Sequence, residues 1–288
     1  MLRRCMVLVP LLLCLAGFAG QASIVYAGHD ATIESLRDYN AAVSAYSNRD
    51  YTKAYEEFKK LAEQGYARGQ YNLALIYLVG EGVAQDYVEG LKWLRKAAEQ
   101  EKGKDDELIV AQAQFYLGGM YAEGRGVPKD DVEAAKWLRM AADSGISFAQ
   151  FQLAEMYHDG AGVPKDYVEA AKWYRKAAEQ GDATAQVELA ELYKGVPGVP
   201  QNYAEVVKWY RKAAEQGNTY GQIGLGARYA YGEGVLQDFV QAYMWYNLAA
   251  VNSPPARTLR DELAELMTPA QIAEAQRLAR EWKAKGGD

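Results

Sequence analysis

Five tryptophans, Trp93, Trp137, Trp173, Trp209 and Trp245, stand 44, 36, 36 and 36 residues apart. A fixed period of this length marks a repeat in which each unit is too small to bury its own apolar face and must stack on its neighbours. The register extends well beyond the tryptophans. Residues 149–181 read AQFQLAEMYHDGAGVPKDYVEAAKWYRKAAEQG, and most of that stretch recurs at an offset of 36 on either side. The first interval is longer by 8 because a charged insert, Glu101 to Val110, separates the first two full copies.

Each copy divides into two helical patterns, A and B, and a glycine-rich turn. In the third copy, A is expected from Phe148 to His158, with Ala149, Leu153, Ala154 and Tyr157 on one face at 3.6 residues per turn. The residue after the leucine is small in every copy (Ala74, Gly118, Ala154, Ala190, Gly226), which permits close approach of a second helix. Helix B is expected from Tyr167 to Gln180. It opens on a capping box, Asp166 to Glu169, repeated at Asp86–Glu89, Asp130–Glu133, Asn202–Glu205 and Asp238–Gln241. Gly145, Gly181 and Gly217 stand where a left-handed residue closes a helix. Between A and B runs Gly-x-Gly-Val, at Gly80, Gly124, Gly160 and Gly232, with Pro128 and Pro164 after it in two copies. The fourth copy reads Lys194-Gly-Val-Pro-Gly-Val-Pro200 instead, so a different turn between unchanged helices is expected there.

In combination these residues resemble the Sel1-like (Sel-one-like) repeat family, relatives of the tetratricopeptide repeats. The resemblance implies an all-α fold, a right-handed superhelical solenoid of antiparallel helix pairs. It covers five full copies over residues 67–254. Residues 28–66 contain a degenerate N-terminal repeat with Asp50, Ala54 and Phe58 in place, and residues 255–288 are expected to form two capping helices, the second opening on Thr268-Pro-Ala-Gln271.

Residues 1–27 carry a basic start (Arg3, Arg4), an apolar run of about a dozen residues, and small-residue cleavage options after Ala22 or Ala27. This is the pattern of a secretory signal peptide, too short for a comfortable span. No other apolar run is long, so no membrane insertion of the mature chain is expected. The chain as written has 32 basic and 38 acidic residues; without residues 1–27 the balance is 30 against 38, a net −8. Basic and acidic residues alternate along the helices, which argues against nucleic acid as a partner. Both cysteines, Cys5 and Cys14, fall in the leader, leaving the mature chain with no disulfide and no thiol chemistry.

Catalytic signals are sparse. The Gly-x-Gly turns follow a helix, not a strand, and lack the third glycine of a dinucleotide loop. The only histidines are His29, beside the cleavage site, and His158, at the end of a helix, and no serine lies in a nucleophile motif. No catalytic, cofactor or metal residue is therefore assigned, and the chain is read as non-enzymatic. Twelve of the 22 tyrosines, Tyr174 and Tyr210 among them, sit at repeat positions and are read as core, with polar tips at its edge.

In the family, helix A lines a concave groove. The positions one, two and five after the A-helix glutamine point away from the repeat core and vary from copy to copy. From them come the candidate partner-binding residues Tyr71, Asn72, Tyr116, Gln152, Glu155, Glu188 and Glu191. The first position of a set (Phe115, Phe151, Val187, Ile223) either lines the groove or packs on the preceding helix B. The function implied is an exported scaffold, periplasmic or secreted, that binds a protein or peptide partner and serves as adaptor or regulator of an envelope complex or signalling pathway. The rivals are a secreted host-interacting factor and an envelope hydrolase of β-lactamase type.

Overall fold

The capping residues predict where each helix begins, and a computed structural model describes residues 33–100, 106–284 and 286. The leader, Cys5, Cys14, His29 and residues 101–105 of the insert lie outside them. Among the described residues there are fourteen α-helices and no strand. They are α1 (Ile33–Ser47), α2 (Tyr51–Glu63), α3 (Ala67–Val79), α4 (Tyr87–Ala98), α5 (Glu107–Glu123), α6 (Asp131–Asp143) and α7 (Ser147–Asp159). There follow α8 (Tyr167–Glu179), α9 (Ala183–Leu192), α10 (Tyr203–Glu215), α11 (Thr219–Tyr231), α12 (Phe239–Ala249), α13 (Pro254–Ala264) and α14 (Pro269–Ala284). The fold is an all-α solenoid of antiparallel helix pairs, with the A pattern on α3, α5, α7, α9 and α11 and the B pattern on α4, α6, α8, α10 and α12.

Two units divide the chain: Met1–Ala149 with Ala161–Val163, and Gln150–Gly160 with Pro164–Asp288. In the first, α1 to α6 pack in series, each on its neighbour within that set, and α3 also touches α5. In the second, the chain from α8 to α13 does the same, α9 touches α11, and α12 carries both α13 and α14. Trp245 of α12 meets Trp282 of α14 edge-on, centroids 5.1 Å apart. Alanines and leucines fill the interior. Leu94, Ala97, Ala113 and Leu117 are buried between α4 and α5, and Ala213, Ala214 and Leu225 between α10 and α11.

The capping boxes form by half. Asp86, Asp130 and Asp166 each accept bonds from two backbone N–H groups of the first turn, the second of them that of the glutamate three residues on. That glutamate does not reach back. Each capping residue instead donates its own N–H to the carbonyl of the preceding helix-A tyrosine (Tyr77, Tyr121, Tyr157, Tyr193 and Tyr229), at 2.9–3.0 Å. With that donor engaged, Glu89, Glu133 and Glu169 turn to the lysine three residues later, at 2.5 Å. Thr268 and Gln271 alone among these boxes make the reciprocal pair, at 2.9 and 3.3 Å.

A glutamine ladder, not anticipated from sequence, joins neighbouring pairs. Gln70, Gln114, Gln150, Gln186 and Gln222 of the A helices are all buried. Gln114 donates to Ala98 O and Gln186 to Ala178 O, both at 3.1 Å, across to the preceding B helix. The side-chain carbonyls of Gln70, Gln150 and Gln186 accept from the glutamine 30 residues on: Gln100 to Gln70 at 3.0 Å, Gln180 to Gln150 at 2.7 Å, Gln216 to Gln186 at 2.9 Å. Position 144 is serine, and the Gln114 carbonyl oxygen is buried without a partner.

Two places depart from the plain repeat. The second half of the insert is helical: residues 107–110 lengthen α5 to 17 residues and bury Val110, while Asp106 pairs with Arg68 of α3 at 2.5 Å. In the fourth copy α9 stops after 10 residues, and an isolated bridge between Val196 and Val199 replaces the usual turn.

Candidate functional site

A helix with glycine or alanine on one face lets a neighbour's aromatic ring pass beside it, and the A helices use this. A Cβ on Gly224 of α11 would meet the Tyr210 ring at 2.6 Å, so only glycine leaves room for that ring to cross from α10 to the A side. The Tyr210 hydroxyl then donates to Glu191 of α9. Thirty-six residues earlier, Tyr174 of α8 meets Phe151 of α7 with ring centroids 5.6 Å apart, and the third copy has Glu155 where the fourth has Glu191.

Four carboxylates gather here on two A helices: Glu155 and Asp159 one turn apart on α7, Glu188 and Glu191 one turn apart on α9. Burial, then the charges of Glu188 and Asp159, push Glu155 up to about 7, with His158 acting against the shift. Burial also raises Glu188; His158 counters this, and Glu191 and Asp159 add to it. Burial first, then Glu188, Glu155 and Asp159, drives the Tyr174 hydroxyl far above the usual phenol range. His158 Nδ1 lies 2.8 Å from Asp159, and its ring meets Tyr167 edge-on. Glu191 is paired with Lys194 at 2.6 Å. Among the described residues no group of three or more His, Cys, Asp or Glu is placed to hold a metal ion.

The seven residues singled out from sequence divide between the two units. Glu155, Glu188 and Glu191 come together, and Gln152 stands half-buried one turn before Glu155. Tyr116 is half-buried in an aromatic row in the first unit, with Tyr71 at 5.9 Å, Phe115 at 5.7 Å, and Phe148 at 6.5 Å from Phe115. Tyr71 and Asn72 are corrections. Tyr71 is only 2 % exposed, enclosed in the core that α3 shares with α4 and α5. Asn72 is 4 % exposed and donates to Arg68 O at 2.8 Å, so neither presents itself to a partner. Among the first positions, Phe151 packs on the helix B that follows it, and Ile223 on the core of α12. Tyr174, Tyr210 and Asp159 were not singled out. A signal was present: the residue after the repeat tryptophan is leucine at Leu94 and Leu138 but tyrosine at Tyr174, Tyr210 and Tyr246.

The sequence profile of the Sel1 repeat matches residues 45–66, 67–102, 111–146, 147–182, 183–218 and 219–250. Among solved structures, a Sel1 repeat protein from Oxalobacter formigenes is 29% identical, covers 84% of this chain and 99% of its own, and superposes with a TM-score of 0.71. A protective antigen with the same type of fold from uropathogenic Escherichia coli is 25% identical over 88% of this chain and 84% of its own, TM-score 0.26. An immunity protein from Pseudomonas aeruginosa is 23% identical over 83% and 84%, TM-score 0.41. Comparison with curated proteins gives no match. With six matched repeats and the pairing of helices described above, the chain belongs to the Sel1 repeat family, whose arrays are typically scaffolds for protein–protein interaction.

Proposed function

We propose that this chain is an exported, non-enzymatic scaffold that holds a protein or peptide partner against the exposed side of its A helices, as an adaptor or regulator of an envelope complex or signalling pathway. Helix pairs of fixed geometry suit the task because they spread many weak contacts over a pre-organised surface, which lowers the ordering cost of binding. The observation that carries the reading is the meeting of half-buried Glu155 and Glu188 from successive A helices. Like charges held in a partly desolvated place weaken the fold and are relieved when a complementary partner binds. Gln152, Tyr116 and Glu191 extend the proposed surface. The leader pattern in residues 1–27 supports export to the periplasm or beyond, and among the described residues no helix is long and apolar enough to cross a membrane. Residues 255–288 are read as the cap that covers α12.

A photoreactive amino acid placed at Gln152, with a control at Lys172 on the exposed side of α8, tests the binding face in the living cell. A defined protein adduct from Gln152 and none from Lys172 is expected. Equal adducts from both, or none from either, refute the reading. N-terminal sequencing of the envelope-associated protein is expected to begin at residue 23 or 28; an intact leader would remove export from the proposal.

A further inference from the structure

The repeat supplies its own control for the acidic cluster. In the fourth copy, tyrosine and glutamate satisfy each other: Tyr210 donates to Glu191. In the third copy the same two positions hold Tyr174 and Glu155, yet that bond is not made. The Tyr174 side chain is 2 % exposed, its hydroxyl has no hydrogen-bond partner among the described residues, and the charges it feels are those of Glu188, Glu155 and Asp159. The Tyr174 ring is enclosed, but its oxygen, unlike that of Tyr71, is not sealed from solvent. A ligand with several donors can therefore reach this unpartnered phenol and the carboxylates beside it.

Among the described residues no cation fills the role. His158 bonds Asp159, Lys194 pairs with Glu191, and on α8 Lys172 pairs with Glu169 while Arg175 turns to Tyr193. A metal ion fits poorly, because the carboxylates do not converge into a coordinating group. A planar cation with donors on several sides can bond carboxylates presented from two helices at once, and the half-buried ring of Phe151 lies beside Tyr174.

We propose that Glu155, Glu188 and the Tyr174 hydroxyl, between α7 and α9, receive an arginine side chain of the partner protein. The guanidinium donates to both carboxylates and to the phenol oxygen, while Asp159 adds to the local negative potential. The inference rests on the A-helix surface being the partner surface and names the chemistry recognised there. It also fixes a pH response. The groups around Glu155 are Asp159 and His158 on α7, Tyr174 on α8, and Glu188 on α9 with Glu191 beside it; burial and the charges of Glu188 and Asp159, opposed by His158, hold Glu155 at about 7. A bound cation draws it down, so binding releases a proton and tightens as pH rises through 7.

Selection of random twelve-residue peptides on the purified protein, followed by affinity measurement of each binder beside its arginine-to-citrulline counterpart, tests this. Citrulline keeps the shape and removes the charge. Arginine-dependent binders are expected, weakened about tenfold or more by citrulline and equally by Glu155→Gln or Glu188→Gln. Tyr174→Phe, which keeps the ring and so the fold, should weaken them by a smaller factor, about threefold, and affinity should rise from pH 6 to pH 8. Binders that tolerate citrulline and both glutamine variants overturn the arginine site while leaving the A-helix surface as a partner surface. Recovery of no arginine-dependent binder, or saturable displacement of the peptides by calcium at Glu155, overturns it as well.

Discussion

Replacing Ser144 by glutamine should give Gln114 the donor that Gln70, Gln150 and Gln186 already have. The backbone is ready for it. Ser144 closes α6 at φ −81°, ψ 5°, and Gln180 closes α8 at φ −79°, ψ −1°. The Gln114 carbonyl oxygen is buried and unsatisfied, which costs about 1–3 kcal/mol. Against its recovery stands the rotamer freedom a glutamine loses on being fixed, up to about 2 kcal/mol. The net expected gain is about 0.5–1 kcal/mol, local to α5 and α6. Because a repeat array need not unfold in one step, a single melting temperature is a poor readout. Amide hydrogen exchange in α5 and α6 is better, and protection there should rise by about two- to fivefold. Ser144→Leu supplies bulk without a donor, and Gln114→Leu removes the acceptor. The reasoning fails if Ser144→Leu gives the same protection, or if the gain from Ser144→Gln survives in the Gln114→Leu background.

Glu155→Gln should stabilise the protein at pH 8 and scarcely at pH 5. The folded-state value of about 7 lies above the ordinary carboxylate value of 4.5, so folded stability falls as pH rises from 4.5 through 7; thermal melts at the two pH values, showing equal effects, would contradict this. Gly126 has φ +72°, and an added Cβ would stand 2.6 Å from the Tyr87 carbonyl oxygen, whereas Gly145 has φ +90° and open space around it. Gly145→Ala should therefore cost about 1–2 kcal/mol from backbone strain alone, and Gly126→Ala clearly more, as judged by urea unfolding. Asp166→Ala should cost about 1 kcal/mol through loss of both cap bonds, while Glu169→Ala should change stability by no more than about 0.5 kcal/mol, because its side chain never returns to the cap. A large loss from the glutamate change in the same unfolding assay would restore the reciprocal box.

The helix pairs, their starts and their turns could be read directly because their signals are local. A capping aspartate, a glycine that must take positive φ and a period of 36 each act within a few residues of the chain. What escaped depends on which helix covers which. A wheel drawn on α3 sends Tyr71 and Asn72 outward, but it cannot show that α5 and α4 enclose the first, or that the second folds back on its own turn. The glutamine ladder was visible as a polar residue recurring in an apolar helix, yet its meaning lies in a partner 30 residues away. The carboxylate cluster was legible in part. Glu155, Glu188 and Glu191 were in hand from their variation between copies, whereas the tyrosine they surround looked like one more core aromatic.

The reach of these ties has a consequence for motion. The arginine–tyrosine bonds from α8 to α9 and from α10 to α11 span 18 residues, and the glutamine bonds span 30. Contacts of such short sequence separation form early and break singly, so folding can begin at several places along the chain and opening need not spread from one place to all. The region around Ser144, with one rung missing, is where such opening should come first. An occupant bridging Glu155 and Glu188 would itself be a rung of the same reach, quieting α7 to α9 and leaving α13 and α14 to breathe as before.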